Sequence, residues 1–232
     1  STNLKTDESI NTGAIRIEDA ASAYLDSCEL DFGTADGIRV LNGSLTIDRS
    51  KLFGSGTQII RVEEGTLEMI QSSLISNSTS ADHVSIEQIS GVSTISESIL
   101  SAEDGTLFHA EGHSAAFEID GSRLIGGTAA LHAQNVLEGQ IVNSSISQSG
   151  QAITVEGSAN LELFNNTIYR CDKGIVLAGS DWESSDVVVR NTVFYSVAET
   201  VPPLPNVVID IRYSYIDISD YSWPGMATGN PG

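Results

Sequence analysis

Leu45-Thr46-Ile47-Asp48-Arg49-Ser50-Lys51-Leu52 decides the fold of this chain, because its pattern recurs along almost the whole length. The pattern is apolar, any residue, apolar, two polar residues, a small polar residue, any residue, apolar. Aligned on the small polar position, the copies carry Cys28, Ser50, Ser72, Ser98, Ser122, Ser144, Asn166, Thr192 and Ser214. Successive spacings are 22, 22, 26, 24, 22, 22, 26 and 22 residues. Two residues after each marker stands an apolar side chain: Leu30, Leu52, Leu74, Leu100, Leu124, Ile146, Ile168, Phe194 and Ile216. Three residues before it stands another, from Leu25 and Ile47 to Val189 and Ile211. A self-similar period of this length is the signature of a solenoid.

The alternation within each copy predicts one short strand with a buried face. A second short strand is expected ahead of it, as in Ile15-Arg16-Ile17, Ile38-Arg39-Val40, Ile60-Arg61-Val62, Val84-Ser85-Ile86 and Ile153-Thr154-Val155. No stretch sustains an amphipathic helix of three turns. Gly43, Gly54, Gly65, Gly91, Gly105, Gly157 and Gly174 punctuate the corners and would permit left-handed backbone there. Strands that recur once per coil stack in parallel, and parallel crossovers are right-handed. The expected fold is therefore all-β: a single-stranded right-handed parallel β-helix of about nine coils, a rod of ~40 Å at ~4.8 Å per rung. The small polar column becomes an internal stack able to bond between rungs and to corner amides.

Composition narrows the function. The chain has 232 residues and a net charge of -20, with 31 acids against 11 bases. Nucleic-acid binding wants a basic stripe, and none is present. No apolar run is long enough to span a membrane. The two cysteines, Cys28 and Cys171, fall in the first and seventh coils, roughly 29 Å apart at the usual strand spacing. A disulfide needs Cα atoms within ~7 Å, so two free, mostly buried thiols are expected. Residues 1–12 read as a polar segment or partial coil and 13–232 as the β-helix domain. Neither end shows a capping helix, and the absence of an initial Met fits a segment excised from a longer protein.

Asn165-Asn166-Thr167-Ile168, Arg190-Asn191-Thr192-Val193-Phe194 and Tyr213-Ser214-Tyr215-Ile216 resemble the coils of pectate-lyase-like right-handed β-helix repeat proteins of bacteria. The segment Tyr221-Ser222-Trp223-Pro224-Gly225 is similar to the ends of such modules in large secreted, multidomain proteins. The resemblance covers roughly residues 13–230. It implies an extracellular or cell-surface setting and says little about activity, because this fold hosts lyases, glycosidases, esterases and inert stalks. The motifs of the family's enzymes are missing here. No Asp-Asp pair occurs, and Gly112-His113-Ser114 is only a partial echo of Gly-His-Gly.

Three functional readings follow. The first is a non-catalytic stalk with a surface for polysaccharide or neighbouring domains of the same protein. Its binding candidates are Trp182, Trp223, Tyr195, Tyr215 and Tyr221, aromatics gathered in the last third of the chain. The second is a uronate polysaccharide lyase on the outward face of the first strand. There His109 or His132 would act as base, Glu111 would orient it and Arg61 would steady a substrate carboxylate. The third is a spacer stabilised by Ca²⁺ on Glu63, Glu87 and Glu111, three carboxylates expected one rung apart. On that outward face one column is expected to read Arg16, Arg39, Arg61, Ser85, His109, His132, Thr154. The next should read Glu18, Leu41, Glu63, Glu87, Glu111, Gln134, Glu156.

Overall fold

The computed structural model describes residues 15–178, 185–198, 209–212 and 215–216, the last two segments as backbone. The chain winds as a right-handed parallel β-helix. Its strands form three parallel sheets of eight, nine and nine strands, stacked in chain order along one axis. Every described pairing is parallel, and each strand pairs with its equivalents one coil before and after.

Each complete coil has three strands rather than the expected two. In the third coil they are Gln58–Glu63, Gly65–Ile70 and Ser73–Ser76. The repeat unit read from the sequence as one strand is in fact two, joined by a corner. Leu45 and Ile47 lie in Ser44–Asp48, and Leu52 lies in Lys51–Gly54. Between them Arg49 adopts φ 46, a left-handed conformation that turns the chain in a single residue. The same position is left-handed in Ser27, Gln71, Glu97, Gly121, Asn143, Asn165 and Asn191, always the residue just before the small polar marker. One left-handed residue shifts the alternation by one, so the marker points inward along with the apolar residues on either side of it.

The expected left-handed glycines are correct for Gly91, Gly105 and Gly157 and not for Gly43, Gly54, Gly65 or Gly174. Gly65 answers a different constraint: a Cβ there would lie 2.7 Å from the Gly43 carbonyl oxygen of the coil below.

The marker column lines up rung on rung. Ser50, Ser72, Ser98, Ser122, Ser144, Asn166 and Thr192 are all buried. The Cys28 amide donates to Ser50 Oγ at 3.0 Å, Ser50 to Ser72 at 3.0 Å, and Ser72 to Ser98 at 3.1 Å. The file continues through Ser122 and Ser144 to Asn166 Oδ1 at 2.9 Å. Each serine hydroxyl also donates to the carbonyl two residues earlier, as Ser98 Oγ does to Ser96 at 2.7 Å. The corner amides, which no strand partner can reach, are thereby satisfied inside the rod.

Beside this file run aliphatic columns. Ile47, Met69, Ile95, Ile119, Ile141, Leu163 and Val189 stack in register at 1% exposure or less. Leu52, Leu74, Leu100, Leu124, Ile146, Ile168 and Phe194 form a second file. At about 25 cal/mol per Å² of apolar area removed from water, these columns are the main source of stability. Cys28 and Cys171 form no disulfide, and Cys171 is buried while Cys28 is half-buried.

Candidate functional site: the outward face of the first sheet

The first sheet holds most of the charged residues singled out from the sequence, in the expected columns except at the fourth coil. The pairings put Glu87 between Arg61 and His109, and Ser85 is fully buried in the core. The observed file is therefore Arg39, Arg61, Glu87, His109, His132, Thr154. The expected column of Glu63, Glu87 and Glu111 does not exist. The reason is the spacing of 26 between Ser72 and Ser98. All four extra residues lie in the loop between Ser73–Ser76 and Val84–Gln88. The expected alignment placed only two of them there.

Moving Glu87 by one column changes its chemistry. Arg61 Nη1 donates to Glu87 Oε2 at 2.5 Å, and Arg61 Nε to Glu63 Oε1 at 2.5 Å. Arg39 Nη2 closes on both Glu63 oxygens at 2.9 and 3.2 Å. The Gln58 amide donates to Glu87 as well. Burial works against the charge on Glu63, but Arg61 and Arg39 outweigh it and hold its pKa below the ordinary carboxylate value. At Glu87 the balance reverses: burial pushes its pKa up and Arg61 offsets only part of that. Burial also opposes the Arg61 charge, yet the two carboxylates keep its pKa above the usual guanidinium value. Arg61 thus fills the place between carboxylates that a cation would need. Among the described residues, no cluster of three or more His, Cys, Asp or Glu could hold a metal ion. Arg61→Ala is expected to lower unfolding stability by about 1 kcal/mol, a modest figure because the pair is partly solvated. Urea titration measures it, and an unchanged midpoint would show that water screens these carboxylates without help.

Further up the same file, the His109 and His132 rings stack at 4.7 Å with planes 14° apart. His132 Nε2 lies 3.2 Å from Glu156 Oε2. His109 Nε2 is buried without a hydrogen-bond partner. Burial, with the neighbouring His132 adding to it, pushes the His109 pKa below its ordinary value of 6.5. The proposed base and its orienter, His109 and Glu111, share a strand. Arg61 stands two rungs away, roughly 10 Å, with Glu87 between. The structure brings the two histidines together and does not bring Arg61 to them. Arg39, which the sequence placed in the outward column without a role, and Gln58, which it did not name, complete the charge network; correct placement of the loop insertion would have found Gln58 beside Glu87.

The aromatic candidates lie elsewhere. Tyr195 is 55% exposed on the third sheet, in register with Tyr169. Tyr215 pairs with Val193 in the next position of that sheet. Trp182, Trp223 and Tyr221 lie outside the described residues.

His83 is the one histidine in the core, at 1% exposure, with Nδ1 2.7 Å from the Gly56 carbonyl and Nε2 3.1 Å from Ser85 Oγ. Burial holds its pKa below 6.5, opposed in part by the bond to Gly56. The unfolded chain therefore takes up this proton first as pH falls. Stability is complete above about pH 6.5 and drains as pH drops toward the depressed folded value, with His109 acting in the same direction. The melting temperature is expected to fall between about pH 7.5 and 5, and His83→Gln should flatten that slope. A wild-type melting temperature constant over this range would refute the assignment.

Three sheets of equivalent short strands, an internal polar file and self-paired exterior charges define a right-handed parallel β-helix module. The family model described as right handed beta helix region matches residues 82–201, just over half of the chain. The chain belongs to that family. Neither the curated proteins nor the solved structures contain a match.

Proposed function

We propose that this chain is a non-catalytic module of a secreted or cell-surface protein, a rigid stalk whose outer faces bind polysaccharide or a neighbouring protein domain. The observation that carries this reading is the self-pairing of the first-sheet charges. Arg39, Arg61 and His132 are each engaged by a carboxylate of the same sheet. An enzyme that steadies a uronate needs such a cation turned toward substrate. The exposed Tyr195 supports a binding role, since an aromatic ring on a rigid scaffold stacks on sugars or anchors a partner. Secretion follows from the resemblance to pectate-lyase-like repeat proteins and fits the acid-rich surface. The test is binding to a panel of immobilised glycans and of uronate polymers. Glycan retention weakened by Tyr195→Ala and unaffected by His109→Ala supports the reading; retention of none removes the polysaccharide arm.

The lyase remains the second reading, favoured by one observation: His109 and His132 stack on adjacent rungs, with burial lowering the His109 pKa toward the form a general base needs, although its Nε2 is buried and a substrate would have to uncover it. Ultraviolet absorbance of unsaturated products from any uronate polymer, lost in His109→Ala, would establish it. A third reading is the Ca²⁺-stabilised spacer on Glu63, Glu87 and Glu111, which asks a cation to displace Arg61 from Glu63 and Glu87. We therefore expect EGTA to leave the melting temperature unchanged, and a drop of several degrees that Ca²⁺ restores would reverse this.

A further inference from the structure

The corner between the second and third sheets changes its chemistry halfway up the rod. In the lower coils the corner and the residue before it carry charge: Asp48 with Arg49, then Glu97, then Asp120 beside the bare Gly121. From the sixth coil upward the same two positions read Val142-Asn143, Phe164-Asn165 and Arg190-Asn191. The strands on either side set these asparagines one above another. Val142, Phe164 and Arg190 are in register before them, and Ser145, Thr167 and Val193 after them. No Asp or Glu stands in these columns. Left-handed backbone favours asparagine but does not demand it, since Arg49, Gln71 and Glu97 hold the same place at φ 46, 46 and 49.

The asparagines form a ladder on the outside of the rod. Asn143 Nδ2 donates to Asp120 Oδ1 at 2.9 Å, and Asn165 Nδ2 to Asn143 Oδ1 at 3.2 Å. A carboxamide has two N–H donors and two acceptor lone pairs. Asn143 and Asn165 therefore each keep an N–H and a lone pair for an outside partner, and both residues are exposed, as is Asn191 above them. Phe164, 40% exposed, borders the ladder on one side, and the exposed Thr167 borders it on the other.

We propose that this corner binds a linear neutral polysaccharide lying along the rod axis. The inference rests on the glycan-binding reading above and adds to it a site and a ligand class. A sugar hydroxyl both donates and accepts, as the edge of an amide does, and the C–H face of a pyranose packs on an aromatic ring. Each rung advances ~4.8 Å, about the length of one sugar unit in an extended chain, so successive asparagines meet equivalent hydroxyls of successive units. A polyanion does not fit. Among the described residues of these columns Arg190 is the one cation, too few for a carboxylate on every sugar, and the whole chain carries a net charge of -20. A protein partner fits this corner less well, because the core of an interface is contiguous and poor in polar groups, whereas Phe164 is bordered by amides.

Affinity gel electrophoresis of the full chain in glucomannan, xylan, hydroxyethyl cellulose and polygalacturonate tests it. We expect retardation by at least one neutral polymer and none by polygalacturonate. Asn165→Asp keeps the size of the side chain and its tolerance of left-handed backbone but removes its N–H. It should weaken retardation about tenfold, with the melting temperature nearly unchanged at this exposed position. Phe164→Ala should weaken retardation several-fold, and carries the test alone if Asn165→Asp fails to fold. Retardation that Tyr195→Ala weakens and the corner variants leave unchanged overturns this site while the glycan-binding reading stands. Preference for polygalacturonate overturns the neutral ligand. Retardation by no polymer overturns both the inference and the polysaccharide arm of that reading.

Discussion

Gly91→Ala is expected to be among the most damaging single-methyl changes in the described rod, costing about 3 kcal/mol or more and possible only with a shifted coil. Gly91 has φ +85, and a Cβ there would lie 2.1 Å from the Gly65 carbonyl oxygen, below any contact a real Cβ makes. The Gly65 backbone that it meets is the rung beneath, held in register by the ladder from Gly65–Ile70 to Gly91–Ser96. Relief would require the rungs to separate, and a separated rung loses its ladder bonds and its core columns together. Gly121→Ala is the internal control. Gly121 is also left-handed, at φ +58, but its nearest neighbour to an added Cβ is Glu97 Cγ at 3.7 Å. It occupies the corner position that Ser, Arg, Gln, Glu and Asn fill in other coils. Its substitution should therefore cost only the left-handed penalty of about 1 kcal/mol. Urea unfolding of the two variants separates backbone conformation from interrung clash. Equal losses would mean that the rung spacing yields and that the clash is not the constraint.

Ser98→Ala should cost about 2 kcal/mol, well beyond the loss of an ordinary surface hydroxyl. Two bonds disappear at once: the acceptor of the Ser72 amide at 3.1 Å and the donor to the Ser96 carbonyl at 2.7 Å. Ser98 is 1% exposed, so water cannot replace it without opening the corner. Ser98→Thr keeps the hydroxyl and should lose less, as Thr192 fills the same column four coils further along. The Ser72 amide should exchange with solvent deuterium markedly faster in Ser98→Ala than in the parent. Because adjacent members share one file, Ser72→Ala combined with Ser98→Ala should depart from additivity. Unchanged stability and unchanged exchange at Ser72 would show that the file is a by-product of the winding and does not hold it.

These two expectations concern features of different legibility. The serine file stood in the sequence, because a hydroxyl recurring every coil among aliphatics has no reason to be there unless it bonds to backbone. The left-handed backbone at Gly91 was expected too, but the contact with Gly65 of the rung beneath was not. The positions Gly43, Gly65 and Gly91 look alike in sequence, yet Gly91 is left-handed and Gly65 is not. Likewise the corner at Arg49 was hidden inside what read as one strand, since a single left-handed residue leaves the apolar pattern almost undisturbed.

The exterior was the least legible part. Placing Glu87 beside Glu63 or beside Arg61 turns on where four inserted residues go, and period-two alternation is equally satisfied by either choice. That ambiguity decided whether three carboxylates stood in a row, awaiting a cation, or were threaded with Arg61. The histidines fared better: His109 and His132 were expected in adjacent rungs and are found stacked.

The amino-acid sequence alone determined the solenoid, its coil length and the apolar residues that face inward, though not the buried Ser85 and His83, because a repeating apolar pattern can bury itself in only one way once each coil must cover the next. Tertiary structure alone decided which side chains meet on the outside. Burial is dictated by hydrophobic pattern within a coil, whereas outward neighbours come from different coils, and their register depends on loop lengths and rung contacts that no local stretch of chain encodes.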